Sequence, residues 1–253
     1  MTIGAKLYRT ATTDDSMAWA KQNMAQAPDG TVFLADITTT AKGRQGRSWQ
    51  IYPGQLLVTF ILKPPQLSTL AHDDIAIRLN QLTMAMALGI VEPLKPYDVG
   101  LKWPNDFVAQ DKKVGGMLVQ VIWHNNAPYG IIVGFALNVN NVFAPEDQLF
   151  ATATSLSVLT QSAHEMRPLY KNILQSLNHW YDQWQQGDYM AIYRSWRGQQ
   201  RYIGQSIKVH QKDGTTVVGI AQQVLPNGDI MLKDVHNKQH MLSLYQVEDL
   251  TLL

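Results

Sequence analysis

The chain has 253 residues, of which 45% are apolar and 16% are charged, and its formal net charge is +1. This balance is typical of a folded globular protein and excludes a disordered chain or one that holds nucleic acid on a broad basic face. The sequence contains no cysteine, which excludes a disulfide scaffold, a thiolate nucleophile and a cysteine-bound metal.

The same features bear on location and partners. The amino terminus has no apolar signal core, and no apolar run approaches the length that we expect of a membrane span. The seven histidines are scattered without ligand spacing, so we expect no metal site built from the protein alone. We predict a cytoplasmic protein that binds neither DNA nor membrane.

A run of helix-capping residues comes first in the chain. Thr12, Thr13 and Asp14 are followed by Asp15 and Ser16, directly before an apolar stretch, so a helix is predicted to begin there. These side chains either cap the helix or hold a small polar ligand at its start.

A basic segment follows a buried strand that is predicted from Val32 to Ile37. Residues 38–49 read TTTAKGRQGRSW, with three cations and two glycines between positions 42 and 47. Glycines allow the backbone to fold around an anion, and Lys and Arg donate charge-assisted hydrogen bonds to phosphate or carboxylate oxygens. Trp49 offers a flat face to an aromatic base. The alternative is a mobile basic surface loop.

The middle of the chain contains further core elements. Apolar runs predict buried strands at 56–62 and 131–140, and helical spacing predicts helices over 72–90, 167–186 and 188–198. Asn138, near the end of the second strand, either reads the edge of a purine or belongs to a turn.

Residues 101–120 read LKWPNDFVAQDKKVGGMLVQ. They predict a short buried segment, a turn at Pro104 to Asp106, a charged hairpin tip at residues 111–113 and a strand over 114–121. Paired glycines weaken a strand and usually mark the close approach of a ligand or of another backbone. Lys113 stands two residues before this pair, so its ammonium either projects onto a ligand or is solvated at a hairpin tip.

After Arg201 the sequence changes to short alternating strands with hairpin signals at Asp213-Gly214 and Asn227-Gly228. About fifty residues give too small a core for an independent fold. We therefore predict a small β-barrel that leans on the larger domain.

Three strings together resemble the biotin protein ligases: the capping run, the basic glycine loop, and KWPND followed by Lys113 and Gly115-Gly116. The resemblance implies an α+β fold, with a mixed sheet backed by helices over residues 1–200 and an SH3-like barrel over 201–253. No helix-turn-helix domain of the DNA-binding members is expected before Thr12. The pattern departs at Asp14, Thr38 and Ala41, where the family usually has asparagine, glutamine and glycine.

The resemblance also implies a two-step reaction. Biotin and ATP give biotinyl-5′-AMP, and a lysine of a biotin carboxyl carrier protein then takes the biotinyl group, with Mg²⁺ bridging the polyphosphate. The implied catalytic residues are Lys113, Arg44 and Asp106. The implied biotin contacts are Thr12, Thr13, Asp14, Thr38, Lys42, Gly43, Arg44, Lys113, Gly115 and Gly116, and the implied nucleotide contacts are Lys42, Arg44, Arg47, Trp49, Asn105, Lys113 and Asn138.

Two other functions stay open at the level of sequence. An adenylate-forming lipoate ligase shares the broad fold, and a non-catalytic sensor of biotin or nucleotide would keep the binding residues without needing Lys113. Whether the chain forms a homodimer is also open.

Overall fold

A seven-stranded mixed sheet forms the frame of the larger part of the molecule. The computed structural model describes residues 3–65 and 72–253. The strands are β1 (Leu7–Thr13), β2 (Val32–Thr38), β5 (Gln55–Leu62), β6 (Gly100–Lys102), β7 (Asp106–Ala109), β8 (Lys112–His124) and β9 (Ala127–Asn138). Their order is β1-β2-β5-β9-β8-β7-β6, with β1 parallel to β2 and the other pairs antiparallel. A separate two-stranded hairpin is formed by β3 (Ala41–Lys42) and β4 (Ser48–Trp49).

The helices lie on both faces of this sheet. They are α1 (Ser16–Gln22), α2 (His72–Val91), α3 (Leu156–Thr160), α4 (Met166–Gln185) and α5 (Tyr189–Gly198). The buried residues of α2, α4 and α5 join the main core on one face. On the other face, Ala20 of α1 packs with Met24, Phe33, Ile61 and Ile132. The apolar stripe predicted for α4 is confirmed as core, because Ile173, Leu177, Trp180 and Trp184 are buried.

The expectation that no segment has the length of a membrane span is wrong. In the described part of the chain, the helical stretch Asp74–Tyr97 has 24 residues, and its most apolar 18-residue window has a mean hydropathy of 1.2, so it is long and apolar enough to cross a membrane by length and composition alone. Of its most apolar window, 56% is buried inside the protein. A helix enclosed by a core is apolar around most of its circumference, and Leu82, Met86 and Ile90 of this stretch are fully buried.

A five-stranded antiparallel sheet forms the carboxyl-terminal part. Its strands are β10 (Ser206–Gln211), β11 (Thr216–Val224), β12 (Ile230–Lys233), β13 (Gln239–Leu242) and β14 (Val247–Leu252), in the order β13-β12-β11-β10-β14. The alternating pattern and the hairpin signals after Arg201 predict strands at 207–210, 216–221, 229–233 and 240–244, which correspond to the first four. The fifth was missed, because the exposed Glu248 and Thr251 interrupt its apolar pattern.

The hairpin over residues 101–120 differs from its prediction at the tip. Gln110 and Asp111 form the turn, with φ of 50° and 58°, and Lys112 already belongs to β8. Lys113 therefore lies on a strand opposite Val108. The prediction of a tip at 111–113 is therefore wrong, because the two residues that take the left-handed turn conformation are Gln110 and Asp111.

Candidate active site

A cavity of about 370 Å³ opens on the sheet face that carries α1. Its floor consists of residues that alternate with core residues along three neighbouring strands, in two rows across the sheet. One row is Leu57, Ala136 and Gly116, and the other is Thr59, Gly134 and Leu118. Because successive side chains point to opposite faces, the intervening residues of these strands supply the core beneath the floor.

Four segments form most of the walls. The start of α1 contributes Asp15, Ser16 and Met17, and the β3–β4 hairpin contributes residues 41–44 and 47–49. The turn over 102–106 and the segment 247–250 of the carboxyl-terminal sheet are the other two, and single residues such as Asp111, Thr152 and Tyr202 complete the lining. The lining brings together both charge signs, since it includes the cations Lys42, Arg44 and Arg47 and carboxylates such as Asp106 and Glu248.

Lys113 stands at the edge of this floor with two partners. Its Nζ lies 2.8 Å from Oδ1 of Asp106 and 5.1 Å from the centre of the Trp49 ring. The side chain of Lys113 is 38% exposed, so the ammonium keeps access to the cavity. An ammonium that is held by a carboxylate and an aromatic face is preorganised to receive an anion.

The two glycines after Lys113 have different structural reasons. A Cβ on Gly116 would lie 3.1 Å from Oδ1 of Asp106 and 3.5 Å from Cε of Lys113, so this glycine leaves room for the ion pair. A Cβ on Gly115 would meet the carbonyl oxygen of Ala136 at 2.5 Å and a methyl group of Leu137 at 2.6 Å. Gly116 lines the cavity, whereas Gly115 permits close strand packing beneath it.

The turn before β7 is fixed by its own amide. The Nδ2 group of Asn105 donates to the carbonyl oxygen of Met117 at 2.8 Å, and the N–H of Met117 donates back to the carbonyl of Asn105 at 3.0 Å. Nη1 of Arg44 donates to Oδ1 of Asn105 at 3.4 Å. The Asn-Asp turn thus places Asp106 beside Lys113 and also contacts Arg44 of the β3–β4 hairpin.

The hairpin residues 43–47, which we call the basic loop, contact the carboxyl-terminal sheet. Nη2 of Arg44 donates to the carbonyl oxygen of Leu244 at 2.6 Å. Gln45 donates to the carbonyl of Val247 at 3.0 Å, and Arg47 donates to that of Glu248 at 3.2 Å. Burial lowers the pKa of Arg44 and the nearby charge of Arg47 lowers it further, whereas Asp106 acts in the opposite direction. The two arginines therefore repel each other, and a bound anion would relieve this repulsion.

The cavity brings together nine of the predicted site residues: Lys42, Gly43, Arg44, Arg47, Trp49, Asn105, Asp106, Lys113 and Gly116. Six others do not line it: Thr12, Thr13, Asp14, Thr38, Gly115 and Asn138. Their assigned contacts stay predictions.

Local bonds explain two of these placements. Thr38 is only 8% exposed, and it pairs with Thr13 at the ends of β2 and β1. Asp14 accepts a hydrogen bond from Oγ1 of Thr39 at 3.0 Å, and its carbonyl oxygen accepts one from Thr40 at 2.8 Å. Both residues thus help to fix the chain that leads into the basic loop.

Sequence reasoning missed some of the cavity walls. Ser16, whose Oγ lies 2.7 Å from Oγ1 of Thr59, belongs to the same capping run as the predicted residues. Residues 247–250 carry no recognisable signal, since they reach the cavity only through the docking of the second sheet.

Comparisons with known proteins agree with this arrangement. A family model described as the biotin/lipoate A/B protein ligase family matches residues 7–138, from the first residue of β1 to the last of β9. The chain belongs to this family.

Individual relatives extend the comparison. The chain is 28% identical over 211 residues to the biotin–[acetyl-CoA-carboxylase] ligase of Mycobacterium tuberculosis, covering 81% of this chain and 73% of that protein. It is 27% identical over 197 residues to the bifunctional ligase/repressor BirA of Bacillus subtilis, covering 75% of this chain and 57% of that longer protein. The structure of a biotin protein ligase from Aquifex aeolicus in complex with biotin and ATP superposes with a TM-score of 0.82 at 22% identity. That match covers 98% of this chain and all of the other, and it shows that the ligase fold extends into the carboxyl-terminal sheet.

Proposed function

We propose that this member of the ligase family is an ATP-dependent biotin protein ligase. In the proposed reaction a biotin carboxylate oxygen attacks the α-phosphorus of ATP, the bond to the β-phosphate breaks, and pyrophosphate leaves. The amine of a lysine on a biotin carboxyl carrier protein then attacks the biotinyl carbonyl carbon, loses a proton and releases AMP. The names of the Mycobacterium and Aquifex relatives support biotin, ATP and an acetyl-CoA carboxylase subunit as substrates.

The observation that carries the proposal is the ammonium of Lys113, held at 2.8 Å from Asp106 beneath the basic loop. The first step brings a carboxylate towards a polyphosphate, so its transition state concentrates negative charge. A preorganised cation at that point stabilises this charge without reorganisation. Binding of biotin or nucleotide alone does not need a lysine at this point, which favours catalysis over sensing.

The other residues have separate roles in the proposal. Lys42, Arg44 and Arg47 bind the phosphates, and Trp49 packs on the ligand beside Lys113. The apolar floor at Leu57 and Ala136 accepts the hydrocarbon part of biotin. Asp106 orients Lys113 in the first step. In the second step it orients or deprotonates the amine of the carrier lysine.

Mg²⁺ belongs to the proposal through the nucleotide. Within residues 3–65 and 72–253, no group of three or more His, Asp or Glu side chains converges to hold a metal ion. The polyphosphate would therefore supply most of the metal's oxygen ligands, as is usual for Mg²⁺. When bound, the ion neutralises phosphate charge, and the basic loop provides the remaining cations.

Exchange of labelled pyrophosphate into ATP tests the proposal. We expect exchange with biotin and Mg²⁺ present and none when biotin is omitted or replaced by lipoate. Transfer to a carrier domain, followed by its mass, tests the second step. Exchange with lipoate alone would identify a lipoate ligase, and binding of biotin without any exchange would identify a sensor.

A further inference from the structure

Side-chain amides connect the chain just after the β3–β4 hairpin to the backbone of Lys113. Gln55 and Asn138 are opposite each other at the ends of β5 and β9. Nε2 of Gln55 donates to Oδ1 of Asn138 at 2.9 Å and to the carbonyl oxygen of Gln50 at 3.2 Å, while its Oε1 accepts from the N–H of Tyr52 at 3.0 Å. Nδ2 of Asn138 donates to the carbonyl oxygen of Lys113 at 3.4 Å.

Main-chain groups at both ends fix the direction of this network. The Tyr52 N–H only donates and the Gln50 carbonyl only accepts, so Gln55 has one orientation that satisfies both. The Lys113 carbonyl also only accepts, which requires Nδ2 of Asn138 to face it. The two amides therefore meet with a donor of Gln55 against the acceptor of Asn138. Asn138 is 3% exposed, so a reversed amide would place two oxygens together without water to separate them.

Lys113 lies outside the ladder between β8 and β9, although it pairs with Val108 of β7. The pairing of β8 with β9 begins at Gly115, and a bulge separates Gly115 from Lys113 on the side of β7. Its backbone instead bonds to the loop before α3, through the carbonyl of Thr152 and the N–H of Thr154. The side chain of Asn138 adds a second donor to the Lys113 carbonyl, at 3.4 Å, beside the N–H of Thr154 at 2.9 Å.

The same network reaches the other partner of the Lys113 ammonium. Gln50 directly follows Trp49, whose ring centre lies 5.1 Å from Nζ of Lys113. Gln55 thus holds the end of β4 through Gln50 and the start of β8 through Asn138. One side chain therefore bonds both to the residue next to Trp49 and to a residue that contacts the Lys113 backbone.

We propose that Gln55 is a positioning residue, which sets the Lys113 ammonium between Asp106 and Trp49 by holding Asn138 and Gln50. The consequence for catalysis rests on the proposed function, whereas the placement of Lys113 can be measured without it. Gln55 itself does not line the cavity, so it acts through its neighbours.

The variant Gln55→Glu changes one atom and removes the donor. The carboxylate faces the oxygens of Gln50 and Asn138, and a reversal of Asn138 only moves the repulsion to the Lys113 carbonyl. We expect kcat for biotin-dependent pyrophosphate exchange to fall about tenfold to a hundredfold, since displacement of a reacting group by about 1 Å has effects of that size. The KM for ATP and for biotin should change less than kcat, because the phosphate-binding cations and the apolar floor are left in place. Gln120→Glu makes the same change at an exposed position of β8 and serves as the control.

A second measurement follows Lys113 directly. Limited acetylation, quantified by mass spectrometry, should modify Lys113 several times faster in Gln55→Glu than in the wild type or the control, relative to the exposed Lys21. Gln55→Met removes the donor without adding repulsion, and it should lower kcat and speed acetylation of Lys113 as Gln55→Glu does. It therefore replaces the charged variant if that variant does not fold. Wild-type kcat, or a loss of kcat without a change at Lys113, would overturn the inference. If the wild type shows no exchange at all, the proposed function fails, and the acetylation ratio alone then decides the role of Gln55.

Discussion

At the scale of single residues, a small number of groups fixes the ammonium at the centre of the site. Asp106, Trp49 and the space above Gly116 all converge on Lys113. The motif predicts this centre from sequence, since a turn, a lysine and a glycine pair are all local signals. The second glycine of the pair is explained by the ion pair, and the first by packing against Ala136, a distinction that requires the strand register.

Removal of the ammonium by Lys113→Ala should nearly abolish adenylate formation while the protein stays folded. Loss of one preorganised charge-stabilising group typically lowers the rate by about a hundredfold or more. The measurement is biotin-dependent pyrophosphate exchange, with circular dichroism to confirm the fold. Lys112→Ala, at the neighbouring position whose ammonium contacts Phe150 and does not line the cavity, should retain exchange. Turnover by Lys113→Ala close to that of the wild type would assign the chemistry to other residues.

At the scale of elements, the basic loop is held by contacts that its sequence does not reveal. The pattern of cations and glycines predicts an anion-binding segment, and the structure places that segment over the cavity. Its contacts with the carbonyl groups of Leu244, Val247 and Glu248 come from a strand and turn about two hundred residues away. Contacts between distant segments depend on docking geometry, so a local pattern cannot predict them. Asn138 shows the same limit, since its local string suggests a purine contact, while its neighbours in space are Gln55 and Lys113.

The basic loop should close more tightly when both substrates bind. In the structure, Arg44 and Arg47 bond to carbonyl oxygens, and their mutual repulsion favours the arrival of an anion. Tryptic cleavage after these two arginines should slow when biotin and MgATP are added together. It should slow less with either ligand alone, because only the adenylate spans the cavity. Cleavage after Lys21 on α1 provides the internal reference. Equal rates at the loop with and without ligands would show that it does not act as a lid.

At the scale of the whole molecule, the two sheets share one core. Buried residues of the carboxyl-terminal sheet, such as Ile207, Val209 and Leu232, belong to the same apolar cluster as α2, α4 and β8. Polar contacts join the parts as well, since Tyr193 Oη donates to the carbonyl of Val224 at 2.8 Å. The change of pattern near Arg201 predicts two units, and we propose the division at 200/201 as one of topology, not of independent stability. The small size of the second unit already argued for this dependence.

A substitution at Trp103 tests this shared core, because Trp103 belongs to the KWPND motif and also makes a hydrogen bond to the second sheet. Its indole Nε1 donates to the carbonyl oxygen of Gly228 at 2.8 Å, and the side chain is 3% exposed. Trp103→Phe keeps most of the apolar ring but leaves that buried carbonyl without its donor, which should lower the free energy of unfolding by about 1–3 kcal/mol. Urea unfolding, followed by circular dichroism and by tryptophan fluorescence, should show one transition for both proteins, shifted to lower urea in the variant. Trp19→Phe, at a half-buried ring packed on Phe33, should shift the midpoint much less. If the variant instead separates into two transitions, or if the wild type already does, the two sheets unfold independently and the core is not shared in the energetic sense.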